Sequence, residues 1–320
     1  MTWTAYNEAK TNEAWMFQRL LVALVDAFAY PDLWDGVGRR PLPVRDMVVA
    51  AAVKAYHGYA NRVAVSDLRL RNVLRIPVPH FNSLGNWLAR PGFGHVVARL
   101  VLESALPLAG LDASWSADST GLGLPYMPEW NEVRALRTAS RRGYRKLHGI
   151  CGNATHAIPV AAVTDGRAGD SPMFRVLARE LSAAGFRGGD MLGDAAYLAR
   201  VNCDLARDFG FTPYFHPKVN TTPKAGGSSA WRAMVLLWRD HRDVFREHYR
   251  HRGNVESAFS TIKRLFGSCV YSRDPAAQDG EILLKVLCHN LVVLVGAVYE
   301  IGLDPDDLFA VEWTPTAVTA

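Results

Sequence analysis

The feature that most constrains this chain is one segment, residues 249–267, which reads YRHRGNVESAFSTIKRLFG. Its apolar residues recur at spacings of four, three and four, the pattern of a helix that lies on a core. These residues are Val255, Phe259, Ile262 and Phe266. On a helix with 3.6 residues per turn, the main polar residues share one stripe roughly 60° wide. They are Tyr249, Arg252, Glu256 and Lys263.

The segment predicts a helix that is fixed to the core on one side and presents an acid among cations on the other. Gly253 costs about 1 kcal/mol inside a helix, so the helix is expected to begin near Asn254. The polar stripe suits a metal and a phosphate backbone. It is also typical of a surface helix with ordinary ion pairs, and the spacing alone leaves both interpretations open.

The order Tyr-x2-Arg-x3-Glu-x6-Lys resembles the signature of the DDE transposases of bacterial and archaeal insertion sequences. In that family the glutamate, here Glu256, is the third metal-binding carboxylate. The resemblance implies two earlier aspartates, and Asp118 in ADSTGL and Asp194 in GDAAY match them. Asp190 is the alternative for the second aspartate. Taken alone, Asp118 is also typical of a turn cap.

The order of elements around these acids predicts the fold independently of the signature. Short apolar runs predict five strands near residues 113–121, 146–151, 158–163, 190–194 and 211–215. Helical patterns follow the third, fourth and fifth strands, and the last helix, 231–248, leads into the signature segment. This order is typical of an α/β fold with helices on both faces of a mixed sheet. With the resemblance, it predicts an RNase H-like sheet flanked by helices and preceded by an all-helical N-terminal domain.

The predicted domains are a helical DNA-end-binding domain at 1–108, an RNase H-like catalytic domain at 109–302 and a C-terminal tail at 303–320. In the first domain, two short helices surround a tight, proline-bearing connection at residues 75–81. Arginines lie nearby, which is compatible with a helix-turn-helix that binds DNA. These arginines are Arg69, Arg71, Arg75 and Arg90. A plain helical bundle fits equally well, and the resemblance favours binding of a transposon end.

A basic run between the first two strands is the densest in the chain. It comprises Arg134, Arg137, Arg141, Arg142, Arg145 and Lys146. Such runs are usually solvated, but beside a catalytic acid they can neutralise phosphates. We therefore predict DNA contacts for Arg141, Arg142 and Lys146, and for His148 two residues further on. A satisfied strand histidine is the alternative for His148.

Composition narrows the remaining function classes. Of 320 residues, 49% are hydrophobic and 21% are charged, and the net charge of +5 weakly favours a polyanionic partner. The four cysteines form no CxxC pair, which argues against a zinc site. The most apolar run, residues 282–298, is interrupted by Lys285, His289 and Asn290, so it predicts a buried helix rather than a membrane span. We expect a cytoplasmic, nucleoid-associated protein with no membrane partner.

The resemblance implies an enzyme that cleaves DNA and transfers strands. Carboxylates suit Mg²⁺, and the implied cofactor is two Mg²⁺ ions at Asp118, Asp194 and Glu256, with Mn²⁺ as a substitute. The implied partners are double-stranded DNA of the transposon ends and target, with a homodimer in the DNA complex. Tyr249, Arg252 and Lys263 are expected to bind phosphates of the end. The alternatives are a structure-specific nuclease of the same fold and a domesticated DNA-binding protein without catalysis; the three acids disfavour the latter.

Overall fold

A five-stranded sheet lies at the centre of the protein, whose computed structural model describes residues 2–125, 143–224 and 226–309. Along the chain the strands are β1 Ser114–Gly123, β2 Tyr144–Gly152, β3 Val160–Asp165, β4 Asp190–Gly193 and β5 Thr212–Phe215. Their spatial order is β3-β2-β1-β4-β5. Strands β1, β2 and β3 pair antiparallel, whereas β4 pairs parallel with both β1 and β5. This mixed order is that of an RNase H-like fold, so the predicted fold class is confirmed.

Helices cover the sheet on both faces. In the second half of the chain they are α7 Asp170–Ala183, α8 Arg200–Asp208, α9 Ser229–Asp240, α10 Arg242–Tyr249, α11 Asn254–Phe266 and α12 Pro275–Ile301. Neighbouring residues of β2 show the two faces, because alternate side chains of a strand point in opposite directions. His148 lies against Asp170 of α7, whereas a Cβ built on Gly149 would lie 3.5 Å from the Phe259 ring of α11. Helices α7 and α11 therefore sandwich the centre of the sheet.

The N-terminal part is helical, as predicted. Its helices are α1 Trp3–Thr11, α2 Glu13–Ala27, α3 Val44–His57, α4 Asn61–Arg71, α5 Phe81–Leu88 and α6 Phe93–Ala105, with a 3₁₀ turn at Leu106–Leu108. The long helix α12 packs against α1, α2, α3, α5 and α6, and also against β3 and α11. The N-terminal helices and the sheet thus share one helix and one continuous core.

Helix α12 is long and apolar enough to cross a membrane by length and composition alone. However, 67% of its most apolar window is buried inside the protein, as in the core helix of a soluble protein. Its buried polar residues all have partners within the fold: Gln278, Glu281, Lys285, His289 and Asn290. The prediction of a buried helix is confirmed.

Several predicted boundaries differ from the structure. The helical spacing from Phe17 to Phe28 predicts a helix capped by Thr11, but Thr11 is instead the last residue of α1, a separate helix that this pattern does not indicate. The helix predicted for residues 231–248 is two helices, because the backbone leaves helical geometry at His241 (φ −133°, ψ 60°). The predicted tight connection between α4 and α5 spans residues 72–80. Its two prolines exclude helical continuation, and it is longer than the three- to four-residue turn of a helix-turn-helix.

Candidate active site

Strand register brings the two predicted aspartates side by side. Ala117 of β1 pairs with Gly193 of the parallel strand β4, so the next residues, Asp118 and Asp194, are lateral neighbours. Asp194 directly follows β4, and its Oδ1 accepts a hydrogen bond from the Ala196 N–H (2.8 Å). Gly193 leaves the space that this turn requires, since a Cβ there would lie 2.9 Å from the Phe215 ring.

The signature segment supplies the third carboxylate on a second structural element. Residues Arg250–Gly253 form a 3₁₀ turn that packs on β1 and β4, and helix α11 begins at Asn254, as predicted. The four predicted apolar residues of this segment are buried: Val255, Phe259, Ile262 and Phe266. Asn254 also ties the helix to the β2–β3 turn, because its Nδ2 donates to the Asn153 carbonyl (2.7 Å). Glu256 therefore projects from the first turn of a helix that is fixed at both ends.

All three carboxylates contact the guanidinium of Arg252. Its Nη2 lies 3.1 Å from Asp118 Oδ2 and 3.6 Å from Asp194 Oδ2, and its Nη1 donates to Glu256 Oε1. The Arg252 side chain is only 17% exposed. The structure thus gathers three acids that lie far apart in the sequence around one cation.

The carboxylates also affect one another electrostatically. Burial raises the pKa of Asp118, and the charges of Asp194 and Glu256 raise it further, while Arg252 lowers it. Burial likewise raises the pKa of Tyr249, which is influenced by the same charges. The Tyr249 ring packs on Phe245, at 5.6 Å between centroids. Tyr249 therefore borders the acid cluster from the last turn of α10.

The donor set fits a hard divalent cation. Mg²⁺ prefers carboxylate oxygens and keeps several waters, and three carboxylates from β1, the end of β4 and α11 supply such oxygens. With Arg252 among these acids, no three His, Cys, Asp or Glu side chains of the described residues are gathered closely enough to hold a metal ion.

The predicted DNA contacts on β2 have partners inside the protein. Lys146 Nζ lies 2.8 Å from Asp170 Oδ1, and His148 Nδ1 lies 3.3 Å from the same oxygen. The His148 side chain is 1% exposed, and its Nε2 lies 2.9 Å from Thr164 Oγ1. This burial favours a strand histidine that packs within the protein, and contact of Lys146 or His148 with DNA stays a prediction.

Most of the predicted basic run lies outside the described residues, including Arg134, Arg137, Arg141 and Arg142. Arg145, which is described, forms an ion pair with Asp279. Of the N-terminal arginines, Arg71 pairs with Asp67 and Arg75 with Asp26, and Arg90 donates to the Leu33 carbonyl. Lys263 is half-buried, without a carboxylate partner among the described residues, and remains available to a phosphate.

Two further polar residues lie at the ends of strands β4 and β5. Asp190, the alternative second aspartate, begins β4 and accepts a hydrogen bond from His248 (2.6 Å), away from the Arg252 cluster. Sequence reasoning missed His216, which directly follows β5 as Asp194 follows β4. Its N–H donates to the Gly193 carbonyl (3.1 Å), and its exposed ring lies 5.5 Å from that of Tyr249. The equivalent position after adjacent parallel strands is the sequence signal that identifies it.

Comparison with known proteins identifies the family. The model of a family described as "Transposase DDE domain" matches residues 116–291, which is more than half of the chain. No curated protein matches the sequence. The chain is similar to a piggyBac transposase in a synaptic complex with hairpin DNA, with 12% identity and a TM-score of 0.39 over 91% of this chain and 74% of that one. On the family match, the chain belongs to the transposases with a DDE domain.

Proposed function

We propose that this protein is the transposase of an insertion sequence, which binds terminal inverted repeats and catalyses phosphodiester hydrolysis followed by strand transfer. The observation that carries the proposal is the gathering of Asp118, Asp194 and Glu256 around Arg252. Transposases of this family cleave DNA and generally use divalent metal ions. To this family activity the proposal adds the residues that bind the metal, the DNA ends that are bound and the joined product.

The three carboxylates are the proposed metal ligands. Asp118, which is central in the sheet and 14% exposed, would hold the metal together with Asp194 and Glu256. When bound, two Mg²⁺ ions would activate the attacking oxygen and stabilise the leaving 3′ oxygen of the phosphodiester; Mn²⁺ is the expected substitute. The protein contributes the fixed positions of the carboxylates, which the sheet register and the core contacts of α11 determine.

The neighbouring polar side chains are proposed to hold DNA phosphates. Arg252 and Lys263 supply positive charge along the signature segment, and Tyr249 borders the acids. His216 lies at the next strand end, beside Tyr249, and is exposed to a DNA strand that crosses this edge of the sheet. Phosphate contacts of this kind position the scissile bond but do not select a sequence.

Sequence selection is assigned to the N-terminal helices of residues 1–108. Arg69 is exposed on α4 and is a candidate for contact with DNA. We further propose a homodimer in the DNA complex, so that two ends are held together, and a cytoplasmic, nucleoid-associated location. Residue 108 is proposed as a boundary between two functions and not between two separately packed bodies. The reason is that α12 packs against helices that precede residue 108.

The test uses the full chain, Mg²⁺, a labelled duplex with the inverted repeat that flanks its gene, and a supercoiled target plasmid. The proposal expects a cut that leaves a 3′-OH at the repeat end, followed by joining of that end to the plasmid. A cut without any joined product would instead support the nuclease of the same fold. Binding of the repeat without any cut would contradict an active transposase.

A further inference from the structure

One guanidinium contacts all three of the carboxylates that the proposed metal site needs. Arg252 binds Asp118, Asp194 and Glu256 through its two terminal nitrogens. Three ionised carboxylates carry −3 and the guanidinium carries +1, so the cluster keeps a charge of −2. The cluster is thus held together by one cation and remains attractive to another.

We propose that Arg252 is a positioning residue, which holds the three carboxylates together in the metal-free protein and exchanges with divalent cations for the same oxygens. The released guanidinium then binds a phosphate of the DNA strand. This inference rests on the proposed metal site, because it concerns the ligands assigned there.

The exchange follows from competition for oxygen atoms. Asp118 Oδ2, Asp194 Oδ2 and Glu256 Oε1 point at the guanidinium, whereas Mg²⁺ needs carboxylate oxygens at about 2.1 Å. A divalent ion placed among these oxygens would also repel the guanidinium at short range, in a partly buried site where water screens the charges weakly. A divalent ion therefore cannot bind these three oxygens while the Arg252 guanidinium keeps its contacts with them.

Arg252 is placed so that it can leave this position. It lies in a short 3₁₀ turn, and its Nε has no hydrogen-bond partner in the part of the chain that the structure describes. Departure therefore breaks contacts only at the terminal nitrogens. A phosphate offers the guanidinium a paired set of acceptor oxygens, which matches its planar fork of N–H donors.

The exchange couples metal binding to DNA binding. A phosphate that holds Arg252 away from the acids removes the competing cation, so DNA raises the affinity for metal. Linkage requires that metal raise the affinity for DNA by the same factor. Without a cation at residue 252, metal binds more tightly in the absence of DNA, and the mutual increase is lost.

The experiment measures Mn²⁺ binding to the full-length, DNA-free protein by isothermal titration calorimetry. Arg252→Gln is expected to bind Mn²⁺ roughly tenfold more tightly than wild type, within the usual range for coupled sites. Arg252→Lys keeps a cation and should stay close to wild type. Arg264→Ala is the matched control, because it removes an exposed cation from the same helix that is not paired with any of the three acids, and it should leave the Mn²⁺ affinity unchanged.

A second measurement follows binding of a duplex repeat end with and without Ca²⁺, which replaces Mg²⁺ without supporting cleavage. Wild type should gain affinity with Ca²⁺, and Arg252→Gln should lose that gain. Unchanged or weaker Mn²⁺ binding by folded Arg252→Gln would overturn the exchange; if this variant melts early, Arg252→Ala gives the same comparison. Failure of wild type to cut DNA would contradict the proposed function, yet the Mn²⁺ titration would still decide the role of Arg252.

Discussion

Asp118 is half-buried, and this environment disfavours its ionised form while no metal is bound. Burial and two neighbouring acids raise its pKa. A carboxyl whose pKa is raised in the folded state stabilises the fold only below the unfolded value of about 3.9, and this stabilisation is lost as the pH rises through the folded pKa. The ionised Asp118 therefore lowers stability at neutral pH.

From this sign we expect Asp118→Asn to unfold at a higher temperature than wild type in EDTA at pH 7. The difference should shrink as the pH falls below 4, where both side chains are neutral. Thermal melts at several pH values measure it, with Asp307→Asn, which changes an exposed acid, as the control. A lower melting temperature for Asp118→Asn at pH 7 would show that its contact with Arg252 outweighs burial.

The three carboxylates should be separable from DNA binding. We expect Asp118→Ala, Asp194→Ala and Glu256→Ala each to abolish cleavage in Mg²⁺ and to leave binding of the repeat end largely intact, because affinity for DNA comes mainly from basic groups. Gel-based cleavage and fluorescence anisotropy on the same preparations measure both properties. A variant that cuts at the wild-type rate would remove that residue from the proposed ligand set.

Lys263 is expected to hold DNA without taking part in the chemistry. It lies seven residues after Glu256, about 10 Å along the helix axis, which is too far to share a metal with bonds of about 2.1 Å. Lys263→Ala should weaken binding of the end and reduce its salt dependence by about one unit of slope. Single-turnover cleavage at saturating protein should survive much better than in Glu256→Ala.

The neighbouring Arg264→Ala is the control for that measurement, because Arg264 is exposed about 100° further round the same helix. Its salt slope should match that of wild type. If Lys263→Ala keeps the wild-type slope and instead loses single-turnover cleavage, then Lys263 belongs to the chemistry.

At the scale of elements, helix α12 carries a histidine that should make the protein sensitive to acid. His289 is buried, and its Nε2 donates to the His156 carbonyl (2.8 Å). Burial lowers its pKa from 6.5 to about 4. The unfolded chain therefore binds this proton more readily, so stability is complete above pH 6.5 and is lost as the pH falls from 6.5 towards 4.

A fall of the His289 pKa from 6.5 to about 4 corresponds to roughly 3 kcal/mol of unfolding free energy across that interval. We expect His289→Gln to lack this part of the pH dependence, whatever its stability at pH 7. Urea unfolding at pH 7, 6, 5 and 4 measures the slope, and the exposed His95→Gln should follow wild type. Equal slopes for His289→Gln and wild type would place the acid sensitivity elsewhere.

The elements differ in how much of them the sequence could predict. The strands, the signature helix and the buried face of α12 follow from local periodicity, and the helix start at Asn254 follows from the cost of Gly253 inside a helix. The break at His241 has no proline or glycine to announce it, and the exposed aromatics of α1 (Trp3 is 76% exposed) conceal its pattern. Local patterns also cannot supply distant partners: Asp170 meets Lys146 and His148 only because α7 packs on the sheet.

The same distinction applies to the site. The spacing of the signature placed Arg252 on the face of Glu256, and family contexts supplied Asp118 and Asp194. That one guanidinium would contact all three acids depends on the β1–β4 register and on the 3₁₀ turn, neither of which the spacing specifies. His216 was missed because its role comes from a neighbouring strand rather than from its own surroundings in the sequence.

At the scale of the whole molecule, one side chain joins the N-terminal helices to the sheet. The Asn290 amide of α12 accepts from the Ile158 N–H (2.9 Å) and donates to the Ile158 carbonyl (2.9 Å), beside β3. The same amide donates to the Val101 carbonyl (3.1 Å) and lies 3.0 Å from Ser104 Oγ, both on α6. Asn290 is fully buried, so these groups have no water to replace it.

Helix α12 and its Asn290 side chain contact both the N-terminal helices and the region beside the sheet. We therefore expect the described helices and sheet to unfold as one cooperative unit. Scanning calorimetry should show a single transition whose calorimetric and van't Hoff enthalpies agree. Asn290→Ala should lower that one transition, with a loss of about 3 kcal/mol or more, since it leaves several buried polar groups unpaired. Ser260→Ala, at an exposed position of α11, should leave the transition in place. Two separate transitions, of which Asn290→Ala shifts only one, would show instead that the N-terminal helices unfold as an independent domain.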